Sequence, residues 1–148
     1  MSELGYTCLL LGLCLSLYGI IGNLVGILTN SPELIISSRR SIYMTTLSVS
    51  ISVISLIYLF ISNDFSVKYV HDHSNLAMDK SYVWVAFYSG NEGSLLYITF
   101  ILTFASSIVL RFSKLKNKDI IPWSTTILSG VIFFYILVLA FFANPFEH

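Results

Sequence analysis

Residues 64–96 read DFSVKYVHDHSNLAMDKSYVWVAFYSGNEGSLL, and the reading of this stretch decides the fold. It carries Asp64, Lys68, Asp72, Asp79, Lys80 and Glu92, together with His71 and His73. The chain on either side is different. Residues 41–63 hold no charge before Asp64, and residues 93–110 hold none before Arg111. A bilayer core of about 30 Å takes about 20 residues of helix. The polar stretch therefore reads as a loop, 64–92, between two membrane spans, 41–63 and 93–110.

The aromatic part of that loop, Tyr82, Trp84, Phe87 and Tyr88, does not extend the following span. A helix running from Tyr82 to Leu110 would be roughly 43 Å long, too long for the bilayer core, and would bury Glu92 without a partner. Gly90-Asn91-Glu92-Gly93-Ser94 is the natural break. The expectation is an aromatic segment on the outer membrane surface, a turn, and a helix beginning near Ser94. Glu92 at that helix start gains about 0.3–1 kcal/mol from the helix dipole alone.

Working outward, two more apolar runs appear. No charge falls between Leu4 and Ser31, which gives a span over 4–28. Pro122 and Trp123 open the last span, 122–143. The first run is read as a retained span and not a cleaved leader. It begins with Glu3 and no basic residue, it is too long, and no A-x-A site follows. Composition agrees: 55% hydrophobic, 11% charged and a mean hydropathy of +0.80, against about 25% charged in soluble domains. The predicted fold is an all-α integral membrane protein, residues 1–148 forming one unit of four transmembrane helices with a partly helical external loop between the second and third.

The two short loops, 29–41 and 111–119, hold Arg39, Arg40, Arg111, Lys114, Lys116 and Lys118, most of the 8 basic residues. The 64–92 loop holds Lys68 and Lys80 against Asp64, Asp72, Asp79 and Glu92. Cytoplasmic loops carry the excess of Lys and Arg. Both termini and the 64–92 loop are therefore expected outside, with Tyr43 and Trp123 at the inner interface. The net charge of zero gives no reason to expect a nucleic-acid partner.

Within the spans, Gly12, Gly19 and Gly26 recur every seven residues and Gly22 lies four before Gly26. Small residues on one face let a second helix approach closely; ordinary glycine tolerance in a membrane helix is the other explanation. Thr45, Thr46, Ser48, Ser50, Ser52 and Ser55 read as packing groups that bond back to their own helix or across to a neighbour. Cys8 and Cys14 face different directions on a helix, which argues against a disulfide between them. The chain has no CxxC or CxxCH, so it is neither a thiol-redox protein nor a c-type haem carrier. His71 and His73 could ligate haem iron at an outer surface, or be two solvated loop histidines. No histidine lies in any span, which excludes a bis-histidine haem held inside these four helices.

Several residues carry a family resemblance. Asp64-Phe65-Ser66-Val67, Tyr69-Val70, His73-Ser74-Asn75, Tyr82 and Gly90-Asn91-Glu92-Gly93-Ser94-Leu95-Leu96 resemble the amino-terminal region of CcmF, the cytochrome c-type biogenesis family. Asn144-Pro145-Phe146 is similar to the N-P-F that ends that family's fourth span, and Arg39-Arg40-Ser41-Ile42-Tyr43 suits its first inner loop. The sequence departs from the family at Tyr88-Ser89, where the family has Trp-Gly, and at His71, where it has a small residue.

The resemblance implies a part in cytochrome c maturation. It implies a haem lyase that takes haem from a haem chaperone, works with a partner presenting apocytochrome c, and ligates haem to CxxCH. The cofactor is haem. The implied location is a bacterial inner membrane, with a mitochondrial inner membrane as the alternative. The family's tryptophan-rich haem-handling segment and flanking histidines lie beyond the N-P-F, and this sequence ends at His148. The expectation is a partial sequence or one subunit of a split protein, acting as scaffold and outer surface. Its haem ligands then lie outside this chain, with His73 and His71 as haem-side candidates. The alternative is a non-catalytic assembly subunit of a membrane complex. A small proton-coupled exporter is disfavoured, because it needs an ionisable group within the membrane and the first span has none.

Overall fold

A computed structural model describes residues 1–62, 68–73, 85, 90–113 and 120–146. In chain order the helices are α1 (Ser2–Leu28), α2 (Pro32–Ile61), α3 (Lys68–His73), α4 (Asn91–Phe112) and α5 (Ile120–Phe141). All but α3 are long and apolar enough to cross a membrane, so the chain is a multi-pass membrane protein. The segments 63–67 and 74–84, which hold Asp64, Phe65, Ser66, Val67, Ser74, Asn75 and Tyr82, lie outside the described residues.

The link between the first two spans is much shorter than the sequence suggested. Asn30 takes a left-handed φ of 51°. That lets its N–H donate to the Ile27 carbonyl at 3.3 Å and the Ser31 N–H donate to the Gly26 carbonyl at 2.9 Å. These two bonds form a Schellman ending, a role in which asparagine substitutes for glycine. Pro32 then occupies the first helical position, where its missing N–H costs nothing. The expected loop 29–41 thus contracts to Thr29–Ser31, and Arg39 and Arg40 sit on α2. The second helix begins nine residues before the expected 41. The third long helix likewise runs from Asn91 to Phe112 instead of 93–110, roughly 33 Å at 1.5 Å per residue.

The four long helices form a closed ring. α1 packs most extensively on α2 and next on α5, while α4 touches α2 and α5. Residues Leu9, Ile42, Val49, Leu56, Leu96, Ile132, Ile136 and Leu139 fill its interior. The α1–α2 seam is built from small residues. Gly12 lies against Thr45 and Ser48, Gly19 against Ser41 and Ser129, Gly22 against Ser38, and Gly26 against Leu34 and Ile35. The glycines therefore serve close helix approach, the first of the two explanations.

The hydroxyls behave as packing groups. Thr45, Thr46, Ser50 and Ser52 each donate to the carbonyl four residues earlier. Ser52 also reaches the Gly5 carbonyl of α1 at 2.9 Å, and Thr46 the Thr103 carbonyl of α4 at 3.0 Å. Asn23, fully buried in α1, donates to the Pro122 carbonyl and to Thr126 Oγ1 of α5. Cys8 and Cys14 are free.

Candidate functional site

The alternating helix directions bring the start of α1, the end of α2, the start of α4 and the end of α5 to one end of the bundle. α3 covers part of that end. Lys68–His73 is helical for only six residues, and it is anchored by two of them: Tyr69 is 5% exposed and Val70 is fully buried. The Tyr69 ring packs edge-on against Phe60, near the end of α2, with centroids 5.7 Å apart and planes at 88°. Such aromatic pairs contribute about 0.5–1.5 kcal/mol beyond their area.

The Tyr69 hydroxyl faces the start of α4. It accepts a hydrogen bond from the Gly90 N–H at 3.3 Å. Burial raises its pKa above the ordinary phenol value; the backbone N–H groups of Gly90 and Gly93 oppose that rise, and the Glu92 carboxylate adds to it. Gly90 is the N-cap residue of α4, and Glu92 lies in the first turn, as the dipole argument requires. Glu92 and Ser94 are half-buried, and Gly93 is buried. Two stretches singled out in the sequence, Tyr69-Val70 and Gly90–Ser94, are thus one physical unit.

The third element at this end is Asn144-Pro145-Phe146. The Phe146 N–H donates to Asn144 Oδ1 at 3.0 Å, closing a tight turn. That turn delivers the Phe146 ring, 3% exposed, onto Gly5 of α1, where no Cβ would fit. The N-P-F sequence therefore ties the end of α5 to the start of α1.

His71 is exposed on α3. Position 73 is two residues further along the same helix, so positions 71 and 73 do not share a face. Among the described residues no three His, Cys, Asp or Glu side chains gather as a metal site. Glycine meets serine at the α1–α2 seam, and no histidine lies on a long helix.

Sequence reasoning missed Asn23, whose signal was a lone amide in an apolar run, and Phe60, which gives no signal of its own.

No family model matches this sequence. Among curated proteins, the chain is 32% identical over 146 residues to the cytochrome c-type biogenesis protein CcmF of Haemophilus influenzae, covering 99% of this chain and 22% of that protein. It is 29% identical over 104 residues to the cytochrome c-type biogenesis protein NrfE of the same organism, covering 70% of this chain and 16% of NrfE. The chain is CcmF-like. A solved structure, the cytochrome c haem lyase CcmF, superposes with a TM-score of 0.89 at 24% identity, over 99% of this chain and 24% of that one. At that identity the superposition shows a shared fold. The CcmF-like chain spans less than a quarter of the length of these relatives.

Proposed function

We propose that this chain is the amino-terminal membrane portion of a haem lyase for cytochrome c maturation. The observation that carries this reading is the 32% identity to a CcmF along nearly the whole chain. In this reading the four long helices are a scaffold, with α3 and the 63–90 region as its outer surface. Both termini and the 64–92 loop face the periplasm of a bacterial inner membrane, or the equivalent side of a mitochondrial inner membrane. The basic residues support that orientation: Arg39, Arg40 and Arg111 all lie toward the opposite end of the bundle from α3.

The complete lyase takes haem from a haem chaperone. With a partner that presents apocytochrome c, it joins haem to the CxxCH cysteines. Haem ligation falls to residues outside this chain: none of the four long helices carries a histidine. His73 and the neighbouring aromatic residues contribute to the outer wall of the haem site. The motif positions Asp64, Phe65, Ser66, Val67, Ser74 and Asn75 belong to that same outer segment.

Deleting the gene and staining membranes for covalent haem tests the reading. Loss of c-type cytochromes with b-type cytochromes intact supports it; intact c-type cytochromes with loss of an unrelated complex would assign the chain to an assembly subunit. His73→Ala probes the finer proposal, which is abandoned if c-type cytochrome levels stay at wild type.

A further inference from the structure

α4 begins without a cap of its own. Gly90 holds the N-cap position at φ −97° and ψ 165°, and glycine has no side-chain oxygen to offer. The first four N–H groups of a helix have no partner inside it, and an ordinary N-cap side chain accepts from the second or third of the helical residues. Here an oxygen arrives from elsewhere in the chain. The Gly90 N–H donates to Tyr69 Oη at 3.3 Å. The backbone N–H of Gly93, the third helical residue of α4, also favours the ionised form of that oxygen. Tyr69 is held in place by its ring on Phe60 and by the buried Val70 beside it. The phenol is thus wedged between the end of one long helix and the start of another.

We propose that Tyr69 is a positioning residue: its hydroxyl caps α4 from outside the helix, and this bond fixes α3, with the segment bearing His71 and His73, against the head of α4. The functional consequence rests on the haem-lyase reading above; the capping bond itself does not. An untethered α3 would leave the outer segment without a fixed relation to the bundle, while a capped α4 alone would not restore it.

The test uses the full-length protein in lipid nanodiscs and in its own cell. Tyr69→Phe keeps the ring packing and removes the hydroxyl. Amide exchange at Gly90 and Gly93 is expected to speed up about fivefold, as for a lost N-cap, with the middle of α4 unchanged. Unchanged exchange at both amides overturns the cap. In cells, Tyr69→Phe lowers covalent haem in c-type cytochromes at a normal level of the protein; normal cytochrome yield overturns the positioning role.

Adding Gly90→Asn to Tyr69→Phe separates a cap from a tether. The backbone at 90 already has the extended conformation an asparagine cap uses, so exchange at Gly93 slows again while cytochrome yield stays low. Recovery of the yield would show that only helix capping matters and would overturn the positioning role. If deletion of the whole gene leaves c-type cytochromes intact, the haem-lyase reading fails, and the exchange rates still decide the capping bond.

Discussion

Along the α1–α2 seam, glycines meet serines and threonines with no space for another methyl group at most positions. At the α3–α4 corner, one tyrosine ring and its hydroxyl join two elements that stand well apart in the sequence. The seam spreads its contacts over Gly12, Gly19, Gly22 and Gly26, so losing one leaves the others in place. The corner has no such repetition. A membrane supplies no hydrophobic drive between helices, so close packing and interhelical hydrogen bonds do the work in the seam. The corner adds burial of an aromatic ring and the needs of a helix end.

The largest expected effect comes from filling the seam. A Cβ at Gly19 would sit 2.8 Å from Ser41 Oγ and 2.9 Å from Ser129 Oγ, on two different helices at once. Gly19→Val forces both apart and is expected to cost about 3 kcal/mol, the upper range for overpacking. Gly12→Ala is the control, since its nearest neighbour is Ile136 at 3.4 Å, ordinary contact. Thermal unfolding in detergent should show a large drop for Gly19→Val and nearly none for Gly12→Ala. Equal stability of the two variants would mean that the seam is not the tight element described.

Glu92→Ala tests the corner. A carboxylate serving only the helix dipole contributes about 0.3–1 kcal/mol. Its place beside Tyr69 and Gly93 predicts more: cytochrome maturation should fall several-fold while the protein still accumulates. Normal maturation with slightly lowered stability would leave Glu92 its dipole role alone.

The seam and the corner were not equally legible. Uninterrupted apolar length located all four spans, because a membrane imposes a simple minimum on helix length. The first turn is harder to read, because Arg39 and Arg40 look like loop residues yet lie on α2. A charge near the interface can sit on a helix, and the better signal was Asn30 followed by Pro32. The break at Gly90 was readable from its glycine, although Gly93, also read as part of the break, lies inside α4. Tyr69 stood out only as part of a pattern. Its partner lies 21 residues away, and nothing local in either stretch announces the bond. His71 and His73 drew notice by residue type, but a six-residue helix puts their positions on different faces.

Hydroxyls within the bundle give a smaller, two-sided prediction. Ser52→Ala removes the bond to the Gly5 carbonyl and should cost about 0.6 kcal/mol, the average for such bonds between membrane helices. Ser129 Oγ is fully buried and has no hydrogen-bond partner among the described residues. Ser129→Ala removes a buried polar atom without breaking a bond, so it should leave stability unchanged or slightly raised. The unfolding midpoint should therefore fall for Ser52→Ala and stay level or rise for Ser129→Ala. A loss at Ser129→Ala as large as at Ser52→Ala would show that a buried water satisfies the serine.

The smallest effect is expected from pH, and its sign distinguishes two forces at the corner. Burial of Tyr69 raises its pKa, whereas the N–H groups of Gly90 and Gly93 favour the phenolate and pull it down; burial prevails. The folded protein then keeps the phenol proton at a pH where the unfolded chain, titrating near pH 10, has lost it. Tyr69 thus contributes its full stability below about pH 10, and that contribution falls as pH rises through the higher folded value. The stability difference between wild type and Tyr69→Phe should be flat from pH 7 to 9 and shrink above 10. A difference that grows above pH 10 would mean that the helix-end amides outweigh burial, and that Tyr69 is held mainly as an acceptor and only secondarily as a packed ring.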